Sequence, residues 1–211
     1  MTTPKGDALT EIRNTYQAHM PAMERSSSSF PWADKEMYAR WLAQTHAYVA
    51  HTTRLTALAA ARLPPQANEL HSHMLAHAAE EAGHDQLLLD DLRALGRSID
   101  EFRPLPVTDA FWQAVYFQID HLTPWAIFGR VIPLEGMAAY LGAACVKAVE
   151  SAHGRGTATF LGAHADADPG HLERAFGVVA RVTPEEGRVI CDGMRMTFAL
   201  YQLILDGILR G

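Results

Sequence analysis

Three stretches of this 211-residue chain carry imidazole and carboxylate groups at helical spacing. The first is His77-Ala-Ala-Glu80-Glu81-Ala-Gly-His84. The second is Val131 to Val146, in which Glu135 is the only charged residue. The third is His164-Ala-Asp-Ala-Asp168-Pro-Gly-His171. A carboxylate in an apolar helical run is costly to bury unless it is paired, protonated or bound to a metal. At about 100° per residue, His73, His77, Glu80, Glu81 and His84 share one stripe of a helix, and that stripe contains no Lys or Arg to make it an ordinary salt-bridged surface. The Glu-x-x-His spacing places a carboxylate and an imidazole on adjacent turns, as helical di-iron bundles do. His164, Asp168 and His171 fall within about 60° of one another if the helix runs through Pro169. If Asp168 instead caps a new helix, its carboxylate still lies near His171. Three segments offering such groups to one interior make a metal centre. Mixed imidazole and carboxylate donors suit Fe(II) or Mn better than a closed zinc site. The expectation is two iron ions, with His84, Glu135 and His171 sharing one of them at about 2.0–2.3 Å.

Each cluster also has an ordinary explanation. The first could be a solvated polar stripe. The third could be an N-cap Asp with two surface histidines, and Glu135 could pair with Arg130 one turn back. His46 and His51 are five residues apart and face different ways, so only His46 is kept as a secondary candidate. His19 lies in the first helix, and His121 and His153 stand near helix ends, where the helix dipole favours them without further role. Cys145 and Cys191 sit in apolar patterns with no base beside them, which marks them as small core residues rather than nucleophiles.

The elements that must position these groups all read as helices. A first helix covers Asp7 to about Met20 and stops near Pro21. Asp34 caps a long helix to about Arg62, and Asn68 caps another that reaches Leu95 and ends at Gly96. Thr108 caps a helix to about Leu122. The next runs from near Pro124 to about Ala152, kinked at Pro133 and broken at Gly154-Arg155-Gly156. A short helix spans Thr157 to about Ala167, Asp168-Pro169 starts another, and Thr183-Pro184 repeats that signature before a last helix to about Leu209. With no linker, repeat or strand signal, residues 1–211 read as one all-α domain of seven or eight helices.

Composition narrows the function. The net charge of −6 with no basic run argues against nucleic acid or an anionic membrane as partner. Two cysteines give no disulfide framework, the N-terminus has no apolar signal core, and no apolar run is isolated enough to be a membrane span. Together these place the protein in the cytoplasm.

The chain resembles the heme-oxygenase-like superfamily, which includes thiaminase II, the pyrroloquinoline-quinone synthase and the heme-oxygenase-like di-iron oxidases, and it is most similar to the last, the iron-containing redox enzymes. The residues that carry the resemblance are Glu80-Glu81-Ala-Gly-His84-Asp85 with the following LLLDDLRALG, then Leu134-Glu135-Gly136, then His164-x-x-x-Asp168-x-x-His171, and Tyr38-Ala-Arg-Trp41-Leu42-Ala-Gln44. The similarity spans about Glu11 to Leu209. It implies a heme-oxygenase-like helical bundle in which His84, Glu135, His164, Asp168 and His171 ligate iron. Glu81 fits one version of the sixth ligand. In the chlamydial death-domain-associated version the sixth is a carboxylate seven residues before the histidine, and here that place is His77. The implied activity is O2-dependent oxidation of a small organic substrate, with a homodimer compatible. Thiaminase-like C–N hydrolysis, cofactor-free oxidation of the quinone-synthase kind, and non-catalytic binding are the alternatives. The aromatics Trp41, Tyr48, Trp112, Tyr116, Phe117 and Tyr140 are candidates to line a dry pocket.

Overall fold

The structure is a computed structural model that describes the backbone of residues 6–211 and the side chains of residues 8–166 and 170–211. Among the described residues every regular element is a helix. They are α1 (Gly6–Ser29), α2 (Lys35–Val49), α3 (Thr52–Arg62), α4 (Asn68–Glu80), α5 (His84–Ala94), α6 (Pro106–His121), α7 (Phe128–His153), α8 (Thr159–Val179) and α9 (Pro184–Arg210), with short 3-10 turns between some of them. The stretches expected as single helices over α2–α3 and α4–α5 are each divided in two.

The expected caps form where a polar side chain meets free backbone N–H groups. Asp34 accepts from Glu36 and Met37 at 2.8 and 3.1 Å. Thr183 and Glu186 bond each other's backbone in a capping box ahead of Pro184. Other boundaries differ. Pro21 does not end α1, and Pro169 does not divide α8; both helices run through. An interior proline costs about 3 kcal/mol, which the flanking turns offset by packing: α1 lies along α9, and α8 along α7. The long rods break where none was expected, at Ala50–His51 and at Glu81–Gly83. Asn68 is the first residue of α4 rather than its cap, and α6 begins at Pro106, two residues before Thr108.

Helix α7 is the hub, packed against α1, α8 and α9. The span Pro124–His153 is long and apolar enough to cross a membrane by length and composition, yet here it lies among the other helices. It meets α8 closely: a Cβ on Gly142 would stand 2.8 Å from the Cβ of Ala165, so only glycine lets the two helices meet this tightly. Two apolar cores flank the hub. One gathers Ile12, Leu55, Ile132, Phe176 and Ile190; the other gathers Tyr38, Leu42, Leu88, Phe111 and Ile204. Leu134, Leu141 and Tyr201 touch both.

One polar contact inside this apolar framework sets the start of α8. Asp91 on α5 has no exposed surface. Its Oδ1 accepts from Thr159 N at 2.8 Å and Thr159 Oγ1 at 2.7 Å, and its Oδ2 accepts from Phe160 N at 3.0 Å. The residue at the N-cap position of α8, Ala158, has no side chain for the task, so a carboxylate from another helix caps α8. Burial raises the Asp91 carboxyl above its ordinary range, and the bonds from Thr159 and Phe160 pull it partly back. Asp91→Ala leaves buried donors without an acceptor and is expected to cost about 2–4 kcal/mol. Urea denaturation of the metal-free protein checks this; a loss below about 0.5 kcal/mol contradicts the role.

Candidate metal centre

The polar groups of α4, the α4–α5 break, α5, α7 and α8 meet in two groups. In the first, one ligand atom each from His77, Glu81, Glu135 and His171 lies within 4.8 Å of the others; in the second, the same holds for Glu81, His84 and His164. Glu81 belongs to both.

The local backbone explains the division. His77 leaves α4 one turn before Glu81, and then Gly83 adopts φ +91°, a left-handed conformation that favours glycine. The reversal turns His84 away from the stripe it would share on an unbroken helix. His84 Nδ1 sits 3.2 Å from Glu81 Oε2, and its ring meets that of His164 edge-on at 4.8 Å. Glu135 and His171 pair with His77 instead: His77 Nε2 is 3.6 Å from Glu135 Oε1, and His171 Nδ1 is 3.3 Å from Glu135 Oε2. The expected grouping of His84 with Glu135 and His171 at one ion is therefore replaced by two groups. The side chain of Asp168 lies outside the described residues.

Both central carboxylates are buried, Glu81 and Glu135 each at 7% exposure. Arg130 does not neutralise Glu135. Its Nη2 donates to the Tyr48 carbonyl and to Thr52 Oγ1, both at 3.2 Å. Glu80 stands at the rim, its side chain 55% exposed, 3.5 Å from His171 Nε2 and 4.0 Å from Arg174.

The donor set fits a transition-metal ion. His164 Nδ1 lies 2.9 Å from the Phe160 carbonyl, which can only accept; Nδ1 therefore carries a proton, and Nε2, 3.8 Å from Glu81, is the ring nitrogen that a metal could use. Glu135 Oε2 and His84 Nδ1 are buried and close to partners without forming an aligned hydrogen bond. Such contacts are what a ligand cluster shows when its lone pairs aim at a common point rather than at one another.

The charge states of the metal-free site follow from the same contacts. Burial alone would raise the Glu81 carboxyl, but His164 and His84 outweigh it and hold that group well below the usual carboxylate range. The Glu81 contact raises His84, and the Glu135 contact raises His171, each against the opposing effect of burial.

An interior cavity of about 130 Å³ opens beside the cluster. His77, Glu81, Glu135 and His164 form its polar wall, and Trp41, Tyr48, Leu134, Leu141 and Phe160 contribute to the apolar one. Of the six aromatics expected to line a pocket, Trp41 and Tyr48 do so. Trp112 and Tyr116 pack around His51, while Phe117 and Tyr140 are exposed. His46 borders a separate surface hollow together with His51. Arg130, which the sequence offered only as a possible partner for Glu135, lies buried in the wall of the metal-side cavity instead.

A family model described as iron-containing redox enzyme matches residues 39–202. None of the curated proteins matches the chain. Among solved structures, a domain of unknown function with a heme oxygenase-like fold from Shewanella denitrificans is 23% identical, with TM-score 0.80 over 92% of this chain and 90% of that one. A TenA homolog from Pseudomonas syringae pv. tomato is 12% identical, with TM-score 0.82 over 100% and 98%. A CADD-like protein of unknown function from Nostoc punctiforme is 21% identical, with TM-score 0.69 over 87% and 85%. These neighbours establish a heme-oxygenase-like fold.

The two raised histidines contribute a pH dependence of definite sign to the metal-free protein, opposite to that of His46, His51 and His73, which burial lowers. A group whose folded pKa lies above its unfolded value stabilises the fold below the unfolded value, near 6.5 for histidine, and loses that contribution as pH rises through the folded value. Glu81 acts oppositely, contributing above about 4.5 and losing that contribution as pH falls. Denaturation of metal-free protein between pH 5.5 and 8.5 should show a stability component that falls with rising pH and is absent in a His84→Gln, His171→Gln double variant. An unchanged pH slope in that variant contradicts the assignment.

Proposed function

The chain belongs to the iron-containing redox enzyme family, and from that premise we propose that it is an iron-dependent oxidase or oxygenase that uses O2 on a small organic substrate. The observation that carries this reading is the buried Glu81 common to two ligand groups. One carboxylate shared between two sets of imidazoles is the arrangement a pair of ions requires, and a single closed zinc site has no use for it.

His77, Glu135 and His171 would hold one ion, His84 and His164 the other, with Glu81 shared; the donor set also accepts Mn(II). Iron bound there in its reduced state would supply electrons for O2 reduction. The chain's own residues do the rest. Glu81 and Glu135 balance cationic charge in an interior from which Trp41, Leu134, Leu141 and Phe160 exclude bulk water. The Phe160 carbonyl fixes the His164 tautomer, and Asp91 fixes Phe160 and hence the turn that carries it.

The hydrolase alternative requires an activated thiol. Burial pushes both Cys145 and Cys191 up, away from the thiolate that nucleophilic catalysis needs. Cys145 lines the cavity and contacts Ser27 Oγ at 3.4 Å, with no base beside it.

Anaerobic Fe(II) titration followed by O2-electrode measurements tests the proposal. The wild type is expected to bind two equivalents and consume O2 when reduced. His171→Ala is expected to lose O2 consumption and at least about 100-fold in affinity at one site, since second-sphere changes alone cost 10–100-fold. Cys145→Ala and Cys191→Ala should retain both properties at a packing cost of roughly 1 kcal/mol. Failure of the wild type to bind Fe(II), or dependence on a cysteine with His171 dispensable, overturns the reading.

A further inference from the structure

Arg130 is 3% exposed. No carboxylate among the described residues lies within ion-pair distance of it. Its Nη2 donates to a carbonyl and a hydroxyl, both neutral, and its Nε is buried with no hydrogen-bond partner. The rings of Tyr48 and Phe111 stand 5.7 and 5.9 Å from the guanidinium carbon, within cation–π range. Burial lowers this guanidinium to about 10, so it remains a cation at neutral pH.

An unpaired buried charge of this kind is expensive. The two bonds from Nη2 tie α7 to the end of α2 and the start of α3, but a neutral donor would serve for that. Glu81 stabilises the positive charge only at a distance, without contact, and the Nε–H finds no acceptor inside the protein. The same side chain lines the cavity that holds His77, Glu81 and Glu135. Arg130 precedes Glu135 by five residues on α7, about 7.5 Å of helix rise, so a molecule anchored at Arg130 has its body in the space beside the ligand cluster. An engineered apolar cavity of about 150 Å³ takes up benzene, and the cavity here, about 130 Å³, is of that order.

We propose that Arg130 is the anchor for the carboxylate of the substrate, which is a small monocarboxylic acid whose apolar body is about the size of a benzene ring. A guanidinium donates charge-assisted hydrogen bonds to a carboxylate; with Nη2 engaged and Nε buried, Nη1 is the nitrogen left to do so. With that end held at Arg130, the carbon skeleton rather than the carboxylate is presented to the ligand cluster, between the walls made by Trp41, Leu134, Leu141 and Phe160. This rests on the oxidase reading only for calling the ligand a substrate; the anion site stands on Arg130 itself.

Binding to the metal-free protein tests it, with benzoate and its neutral isostere benzamide as probes. Calorimetry is expected to show benzoate binding at least 10-fold more tightly than benzamide to the wild type. The Nε–H resonance of Arg130 should shift with benzoate and not with benzamide. In Arg130→Met the preference is expected to fall to about 1-fold. Equal affinity of the wild type for both probes, a preference that survives in Arg130→Met, or an unmoved Arg130 resonance overturns the proposal. If Arg130→Met does not fold, the wild-type affinity ratio and the resonance decide. Because no iron is present, loss of the benzoate preference strikes this inference alone. Failure of Fe(II) binding with the preference intact strikes the oxidase reading alone and leaves a carboxylate-binding protein.

Discussion

The carboxylate of Asp91 holds the first turn of α8 against α5, and the ligand geometry hangs on that joint. Asp91 stands two turns beyond His84 on α5, and the residues it binds, Thr159 and Phe160, stand one turn before His164 on α8. One buried group therefore sets the distance between an imidazole on each helix, and His164 is oriented through the Phe160 carbonyl that the same joint places. On the other side of α8, the Gly142–Ala165 approach brings in α7 and with it Glu135. The apolar cores hold the rods together without direction, as hydrophobic packing does; these two contacts supply the direction.

Much of this was legible in the residues. Asp34 and Thr183 announced helix starts because a side-chain oxygen two or three residues ahead of free N–H groups is a local signal. Glu135 announced a buried polar site because no other charge shares its run. The imidazoles and carboxylates that α4, α7 and α8 bring together stood out by type and spacing. What was not legible is mostly non-local. Pro21 and Pro169 read as breaks, yet tertiary packing keeps both helices whole. Gly83 read as one residue in a continuous stripe, whereas its left-handed φ divides the ligands between two groups and lets Glu81 serve both. Asp91 stood inside LLLDDLRALG with no role of its own; that role depends on a helix N-terminus nearly seventy positions later.

The electrostatics of the interior are unbalanced in two opposite ways at close quarters. Glu81 and Glu135 concentrate negative charge whose contacts are histidines, and Arg130 holds positive charge that no carboxylate contacts, Glu81 acting on it only at a distance. Had the fold paired Arg130 with Glu135, both would be inert structural charges. Keeping them apart costs stability, and it leaves the cavity with two poles: one suited to cations, the other to an anion.

Helix α8 is a single rod that lends His164 to one ligand group and His171 to the other, two turns apart, and Glu81 is common to both. Nothing can order one group without ordering part of the second. An ion settling at either end would already have met the entropic cost of fixing α8 and Glu81, so the next ion finds its ligands arranged. Were two ions to bind as proposed, this shared ordering would favour the second, working against the mutual repulsion of two cations that share one carboxylate.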